Sequence, residues 1–473
     1  MAMPSVHREA YALAVDARDP RFDGVFFVGV TTTRVYCRPV CPSRVAHDDH
    51  RRFFDSAAAA ERAGFRPCLR CRPELAPGRT IVAAVSRLAH AAAQRIAAGA
   101  LNGHSVADLA SELGVSERHL RRALEREGGV SPLDLAQTHR LLLAKRLLQD
   151  TDLPVTRVAY ASGFQSLRRF NAVFRARYGM PPTALRRAKT VVRRSSSAES
   201  LRLTLAYREP FAWSALLSCF RRDAIPGVEL VTGQRYARTV RIDGTSGVVL
   251  VRDEPAERHL VVRASASLVP ALMSLIAALR RVFDLDAEPA IVDAHLAHGG
   301  LGTLVARRPG VRLPGALDGF EVAQRCLLGG GQYLERVAQG FGERLETPVP
   351  GLTHLAPTAA RIAEAGARPI SALGLPTHCA ASIAALACAV VDGTLRLSPG
   401  SDAEATRRSL LEIDGINVRQ AGMIVLHALS WPDAFPVADG ALLARAEQWR
   451  PWRAYAAVHL SLEQRRASRS FDR

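Results

Sequence analysis

The sequence predicts a multidomain α+β fold: a small four-cysteine domain, then an all-α region with two helix-turn-helix units, then an α+β region closing on a helix-hairpin-helix. Three observations predict it. Cys37, Cys41, Cys68 and Cys71 are spaced as C-x3-C and C-x2-C. Apolar-periodic segments opened by capping serines fill the stretch to about residue 188. From Leu201 strand-like runs appear, and they yield to helical periodicity after about residue 311. A chain of 473 residues has room for three or more domains.

The four cysteines suit one tetrahedral zinc ion. Each close pair can grip one face of a metal, and the gap of 26 residues lets a separate segment close the other face. A disulfide framework is the alternative, but a chain this long needs no staples. The remaining cysteines, Cys219, Cys326, Cys379 and Cys388, are scattered through apolar stretches as buried thiols are. Four thiolates would leave the zinc site with a net charge of about −2. Arg34, Arg38, Arg44, Arg66, Arg70 and Arg72 surround it in sequence.

Ser105 and Asp108 have capping-box spacing and open a helix. Gly114 supplies a turn, Ser116 caps a second helix, and Arg118, Arg121 and Arg122 line its exposed side. A long helix near 133–149 leads to a second unit. There Val155, Val158 and Ala159 form one helix, Gly163-Phe164 the turn, and Ser166 opens the next. A polar stretch, 189–200, without periodicity reads as a linker. Strands are expected near 201–208, 228–242, 245–252 and 258–265, with a helix near 268–283. Leu411 to Ala421 then looks like a helix-hairpin-helix, with the acidic Asp439 downstream.

Charge points to a polyanionic partner. The net charge is +18, and residues 1–200 hold 32 of the 63 basic but only 18 of the 45 acidic residues. Only Lys145 and Lys189 are lysines, so a compositional preference for arginine is also at work, although it does not explain the asymmetry. No apolar run reaches membrane length and no signal peptide is evident, so a cytoplasmic location is expected.

The string Thr31-Thr32-Thr33-Arg34-Val35-Tyr36-Cys37-Arg38-Pro39-Val40-Cys41-Pro42, with Gly64-Phe65-Arg66-Pro67-Cys68-Leu69-Arg70-Cys71, resembles the N-terminal domain of the Ada methyl-phosphotriester repair proteins over roughly 8–76. That resemblance implies a zinc-bound thiolate at Cys37 that takes a methyl group irreversibly from methylated DNA, and DNA contacts at Thr33, Arg44 and Arg66. Loss of one negative charge beside the phosphates would then tighten DNA binding. Arg34 and Pro42 depart from the family pattern.

Ala161-Ser162-Gly163-Phe164-Gln165-Ser166, continued by Phe170, Phe174, Gly179 and Pro181-Pro182, resembles AraC-type DNA-binding domains. Two recognition helices in successive major grooves of double-stranded DNA are implied, with Arg118, Arg121, Arg168, Arg169 and Asn171 as base-reading candidates. Leu313-Pro314-Gly315, the hairpin, Asp439 and Trp449-Arg450-Pro451-Trp452-Arg453 resemble AlkA-type DNA-3-methyladenine glycosylases over about 201–465. This implies DNA-backbone contacts at Gly415 and Asn417, base flipping, and excision supported by the Asp439 carboxylate. No lysine follows Lys189, so a Schiff-base lyase step is not expected.

The hairpin's second glycine is replaced by Asn417, which tolerates left-handed backbone. Cys219, Arg419, Met423 and Ser461 stand where the family places aromatic rings, and Leu328-Gly329-Gly330-Gly331 replaces its usual Leu-Gly-Gln run. The domain order resembles Ada–AlkA fusion proteins, with expected borders at 1–80, 85–188, 189–200, 201–310 and 311–473. It implies a DNA repair enzyme and transcription regulator with RNA polymerase as a further partner. The alternative is a methylation-sensing activator whose C-terminal half binds DNA without catalysis.

Overall fold

A computed structural model of the chain describes residues 5–78, 87–187, 200–329, 331–437 and 439–471. The expected linker lies outside the described residues except for Ser200, as do Gly330 and Ala438. The chain divides into two compact units, residues 1–208 with 266–277, and residues 209–265 with 278–473.

The first unit opens with helix α1 (Ser5–Asp16) and strands β1 (Phe27–Val30), β2 (Val35–Cys37) and β3 (Arg51–Phe54). Helix α2 (Ala57–Arg62), capped by the Ser56 hydroxyl, and the two-residue strand β4 (Arg66–Pro67) follow. The strands run in the order β3-β1-β2-β4, with β1 antiparallel to both neighbours and β2 parallel to β4. The parallel pair is what assembles the cysteines. It aligns Val35 with Arg66 and Tyr36 with Pro67, so Cys37 and Cys68 leave adjacent strands side by side. The Cys68 amide donates to the Tyr36 carbonyl at 2.9 Å and continues the ladder by one bond.

Helices α3 (Arg87–Ala97), α4 (Val106–Glu112), α5 (Glu117–Gly128), α6 (Pro132–Asp150), α7 (Val155–Ala161), α8 (Leu167–Tyr178) and α9 (Pro182–Arg187) complete the helical part, with strand β5 (Ser200–Ala206) after it. Local chemistry sets these borders. Ser105 and Asp108 form the expected capping box, and Ser116, Ser131 and Ser166 cap α5, α6 and α8. Gly114 and Gly163 take φ of 68° and 84° in the two turns, a region that glycine enters freely. Leu109, Leu120 and Leu124 are buried in the first helix-turn-helix, and Phe164, Phe170, Phe174 and Tyr178 pack ring to ring in the second.

The second unit begins with α10 (Trp213–Asp223) and an antiparallel meander of β6 (Glu229–Thr232), β7 (Arg235–Ile242), β8 (Thr245–Glu254) and β9 (His259–Ser265). The single strand expected at 228–242 is therefore a hairpin. Gly233, at φ 56°, breaks it in a turn that pairs Thr232 with Arg235. The helix expected at 268–283 is a 3-10 segment, Ala266–Ala271, that contains Pro270, followed by α11 (Leu272–Val282).

Helix begins again earlier than expected, with α12 (Pro289–Leu296) and α13 (Gly302–Arg307). Then come α14 (Gly319–Leu328), α15 (Gly331–Phe341), α16 (Ala359–Ala365), α17 (Ala367–Ala372) and α18 (Thr377–Val391), and after them α19 (Ala403–Leu411), α20 (Val418–Leu429), α21 (Gly440–Ala446) and α22 (Arg453–Phe471). The helical core is an apolar cluster that includes Phe320, Ile383, Leu386, Leu410, Ile424 and Val425. A buried ion network joins the meander to α14: Arg238 bonds Glu229 at 3.0 Å and Glu321 at 2.7 Å, and Arg325 reaches Glu229 at 2.7 Å. Burial would raise the Glu321 carboxyl, but Arg238 and Arg325 together hold it down at about 2. Among the described residues no helix is long and apolar enough to cross a membrane.

Candidate metal centre and nucleic-acid faces

The sulfurs of Cys37, Cys41, Cys68 and Cys71 all lie within 4.8 Å of one another, and no disulfide is formed. Four thiols converging from two segments fit one zinc ion held at about 2.3 Å from each sulfur. Backbone amides stabilise charge on two of them. Arg38 N donates to Cys71 Sγ at 3.4 Å, and Arg70 N and Cys71 N donate to Cys68 Sγ at 3.3 and 3.5 Å. Cys41, Cys68 and Cys71 are buried, whereas Cys37 is half-exposed. The four cysteines are thus inequivalent: Cys37 is the least covered, and these amide bonds go to others.

Arg38 is not a free surface cation. It pairs with Asp23 and braces the metal loop, and its Nη1 reaches the Cys71 carbonyl at 3.3 Å. Thr33 and Arg44 are exposed, whereas Arg66 is half-buried on β4. Arg34 sits beside Thr33 in left-handed backbone, with its guanidinium 5.6 Å from the Phe65 ring.

Arg118, Arg168, Arg169 and Asn171 are exposed on α5 and α8. Arg121 is half-buried and engaged by Glu117 one turn before it, with Nε at 2.9 Å from Oε1. Of the five base-reading candidates it is thus the one tied down within its own helix.

The hairpin between α19 and α20 is present. Gly415 takes φ 85°, and a Cβ there would lie 2.3 Å from Ser382 Oγ. Asn417 does not take the left-handed backbone expected of it. It is extended (φ −88°, ψ 169°) and caps α20 through a capping box, receiving the Gln420 amide at 2.9 Å and donating its own to Gln420 Oε1 at 3.0 Å. Asparagine here serves by its side-chain oxygen rather than by tolerance of positive φ.

Asp439 is exposed at the N-cap of α21. Oδ1 accepts both capping bonds, from Ala441 N at 2.9 Å and Leu442 N at 3.1 Å, and Oδ2 takes part in neither. The segment before it is held from two sides. Pro436 packs against Gly422 of α20, and Asp433 accepts from Arg450 at 3.0 Å and Arg453 at 2.7 Å. Asp433 was missed in the sequence; its signal was the two arginines of Trp449-Arg450-Pro451-Trp452-Arg453, which need an acidic partner. Arg419 is exposed and Met423 and Ser461 are half-buried. Cys219 is buried in an aliphatic cluster with Val311 and Leu462.

Residues 10–74 match the metal binding domain of Ada, residues 109–188 a helix-turn-helix domain, and residues 202–318 the AlkA N-terminal domain. The chain is 35% identical to a probable bifunctional transcriptional activator/DNA repair enzyme AlkA of Mycobacterium tuberculosis, over 94% of each chain. It is 33% identical to DNA-3-methyladenine glycosylase 2 of Escherichia coli over 54% of this chain and 95% of that one. To the bifunctional transcriptional activator/DNA repair enzyme Ada of Escherichia coli it is 34% identical over 28% of this chain and 36% of that one.

Proposed function

The chain belongs to the family of bifunctional transcriptional activators and DNA repair enzymes that join Ada-type and AlkA-type parts, and on that premise we propose that Cys37 is its methyl acceptor and Asp439 its excision carboxylate. The protein repairs DNA and regulates transcription, and one Zn2+ fits its four cysteines.

The observation that carries the first role is the inequivalence of the sulfurs: Cys37 alone of the four residues is partly exposed, while the other three are buried. Zinc, when bound, would keep that sulfur a thiolate at neutral pH. The thiolate attacks the methyl carbon of a methylphosphotriester. The S–C bond forms, the C–O bond breaks, and its electron pair restores the phosphate diester anion. Cys37 is left as a thioether and one negative charge is gone from the DNA-facing side, so binding to phosphates tightens. Thr33, Arg44 and Arg66 hold the damaged backbone, and Arg118, Arg121, Arg168, Arg169 and Asn171 read the operator.

Excision needs a carboxylate near the sugar as positive charge builds on it. With Oδ1 fixed by two amides, Asp439 presents Oδ2 to C1′ and to the attacking water. The C1′–N bond breaks, its electrons leave with the cationic base, water adds at C1′ and gives up a proton to the Asp439 carboxylate, which passes it to solvent, and an abasic site remains. Gly415 and Asn417 position the backbone of the same duplex. The metal domain covers 1–80, the helix-turn-helix domain 85–188, the linker 189–200, the α/β part 201–310 and the hairpin part 311–473. RNA polymerase is the further partner of the activator, and chromosomal DNA as substrate places its work in the cytoplasm.

The test uses methylated duplex DNA and the full-length zinc protein. Label should move from methylphosphotriesters to the peptide holding Cys37, and transfer should vanish in Cys37→Ala. Release of 3-methyladenine should fall at least ~100-fold in Asp439→Asn. Asparagine also caps helices well, so that loss would not come from unfolding. Methyl transfer to Cys37→Ala would overturn the first role, and undiminished release by Asp439→Asn the second. Absent release from every protein, with DNA binding kept, would instead support the reading in which the C-terminal half only binds DNA, a reading favoured by the burial of Cys219 against Leu462.

A further inference from the structure

Within the first unit, one short helix of the cysteine domain touches both recognition helices. Glu61, on α2, is buried to 5% exposure, and three groups converge on it. Tyr36 Oη, one residue before Cys37, donates to Oε1 at 3.1 Å. Thr138 Oγ1 of α6 donates to Oε2 at 2.8 Å, and Arg177 Nη1, in the last turn of α8, donates to Oε2 at 2.7 Å. The neighbouring Arg62 donates to the carbonyl of Gly129, the residue that caps the C-terminus of α5. Thus α2 holds the last turn of α8 and the end of α5 by two consecutive side chains.

A second clamp lies nearby. Lys145 of α6 is fully buried, pairs with Glu74, and donates to the carbonyl of Cys68 at 3.0 Å. Arg72 bonds Asp150, the last residue of α6, through two nitrogens at 2.7 and 2.8 Å. In a chain with 61 arginines and two lysines, a lysine kept at this position calls for a reason. The compact point charge here serves one carboxylate and one carbonyl.

We propose that Glu61, with Arg62 and Lys145, are positioning residues that hold the cysteine domain and both recognition helices in one register, so that Cys37 and the operator-reading arginines engage one duplex at a fixed separation. The consequence is specificity by distance. Two DNA-binding parts joined rigidly gain affinity only when both sites fall where the scaffold places them. The inference rests on the reading of Cys37 and of the α5 and α8 arginines given above, because a register matters only if both parts bind.

The experiment inserts base pairs between the two halves of a duplex that the full-length zinc protein selects from a random pool. Footprinting on wild type locates the halves. Five base pairs turn one half through about half a helical turn. Wild type should lose at least ~10-fold in affinity on that insertion. Two charge-neutral double variants, Glu61→Gln with Arg177→Met and Glu74→Gln with Lys145→Met, remove a clamp without stranding a buried charge. They should tolerate the insertion within ~2-fold, bind the parent spacing more weakly, and still accept methyl at Cys37.

Spacing dependence that persists in both variants would overturn the proposal, and so would a wild type indifferent to insertion. The series is run on unmethylated and on methylated protein. If no protein accepts methyl at all, the reading of Cys37 fails while the insertion series still judges the clamp.

Discussion

A buried side chain with no partner sets a pH dependence that one substitution can remove. His459 on α22 is 0% exposed, and among the described residues neither ring nitrogen finds a hydrogen-bond partner. Burial, and then Arg308, push its pKa from 6.5 down to about 4. The folded protein therefore resists protonating it. Its contribution to stability is fully present above pH 6.5 and is lost as pH falls through 6.5 towards 4. At ~1.4 kcal/mol per pKa unit this amounts to ~3 kcal/mol. Replacing the ring by an apolar chain, His459→Leu, should flatten that loss. All four tryptophans (Trp213, Trp431, Trp449 and Trp452) lie in the second unit, so tryptophan fluorescence in urea at pH 7 and pH 5 reads the effect directly. A variant that loses as much stability on acidification as wild type would refute the assignment.

At the level of elements, the hairpin shows how a position resists change. Gly415 combines φ 85° with a neighbour that a Cβ would strike at 2.3 Å, and that neighbour, Ser382 Oγ, bonds the Asp414 carbonyl at 2.6 Å. Gly415→Ala should cost ~1–3 kcal/mol and open the turn between α19 and α20. Faster amide exchange across 412–417 and weaker DNA binding would report it, whereas an unchanged exchange pattern would count against the strain. This element was legible because glycine and the capping residues are local signals, and so were the serine caps of α4, α5 and α8. The sheet of the cysteine domain was not legible, since its strands are two to four residues long and carry no periodicity. The break at Gly233 was also missed, because Thr232 and Arg235 flank it with strand-like residues on both sides. Asn417 shows a subtler limit: the residue was marked, but whether its backbone or its side chain would serve depended on Gln420 three positions later.

At the scale of the whole chain, order along the sequence was readable and pairing across it was not. Cysteine spacing, helix-turn-helix punctuation and the hairpin lie within short windows. Glu61 meets Thr138 and Arg177 from 77 and 116 residues away, and Arg238 meets Glu321 from 83, so no window holds both partners. The two compact units also divide the chemistry. All four clustered cysteines belong to the first, and Asp439 belongs to the second. Structural zinc contributes its binding energy to folding, typically ~10–16 kcal/mol in small zinc domains. Stripping the metal with a strong chelator should therefore abolish methyl acceptance and lower the unfolding temperature of the first unit by at least ~10 °C. Base release should persist, because Asp439, its two capping amides and the Asp433 clamp contain no metal ligand. Tryptophan fluorescence and far-ultraviolet dichroism separate the two readouts: every tryptophan reports the second unit, while dichroism follows both. Tryptophan fluorescence that melts at the same temperature with and without chelator, beside an early dichroism transition, is the expected pattern. A tryptophan transition that falls in step with metal loss would mean that the fold around Asp439 depends on the zinc domain, and excision would then be lost with it.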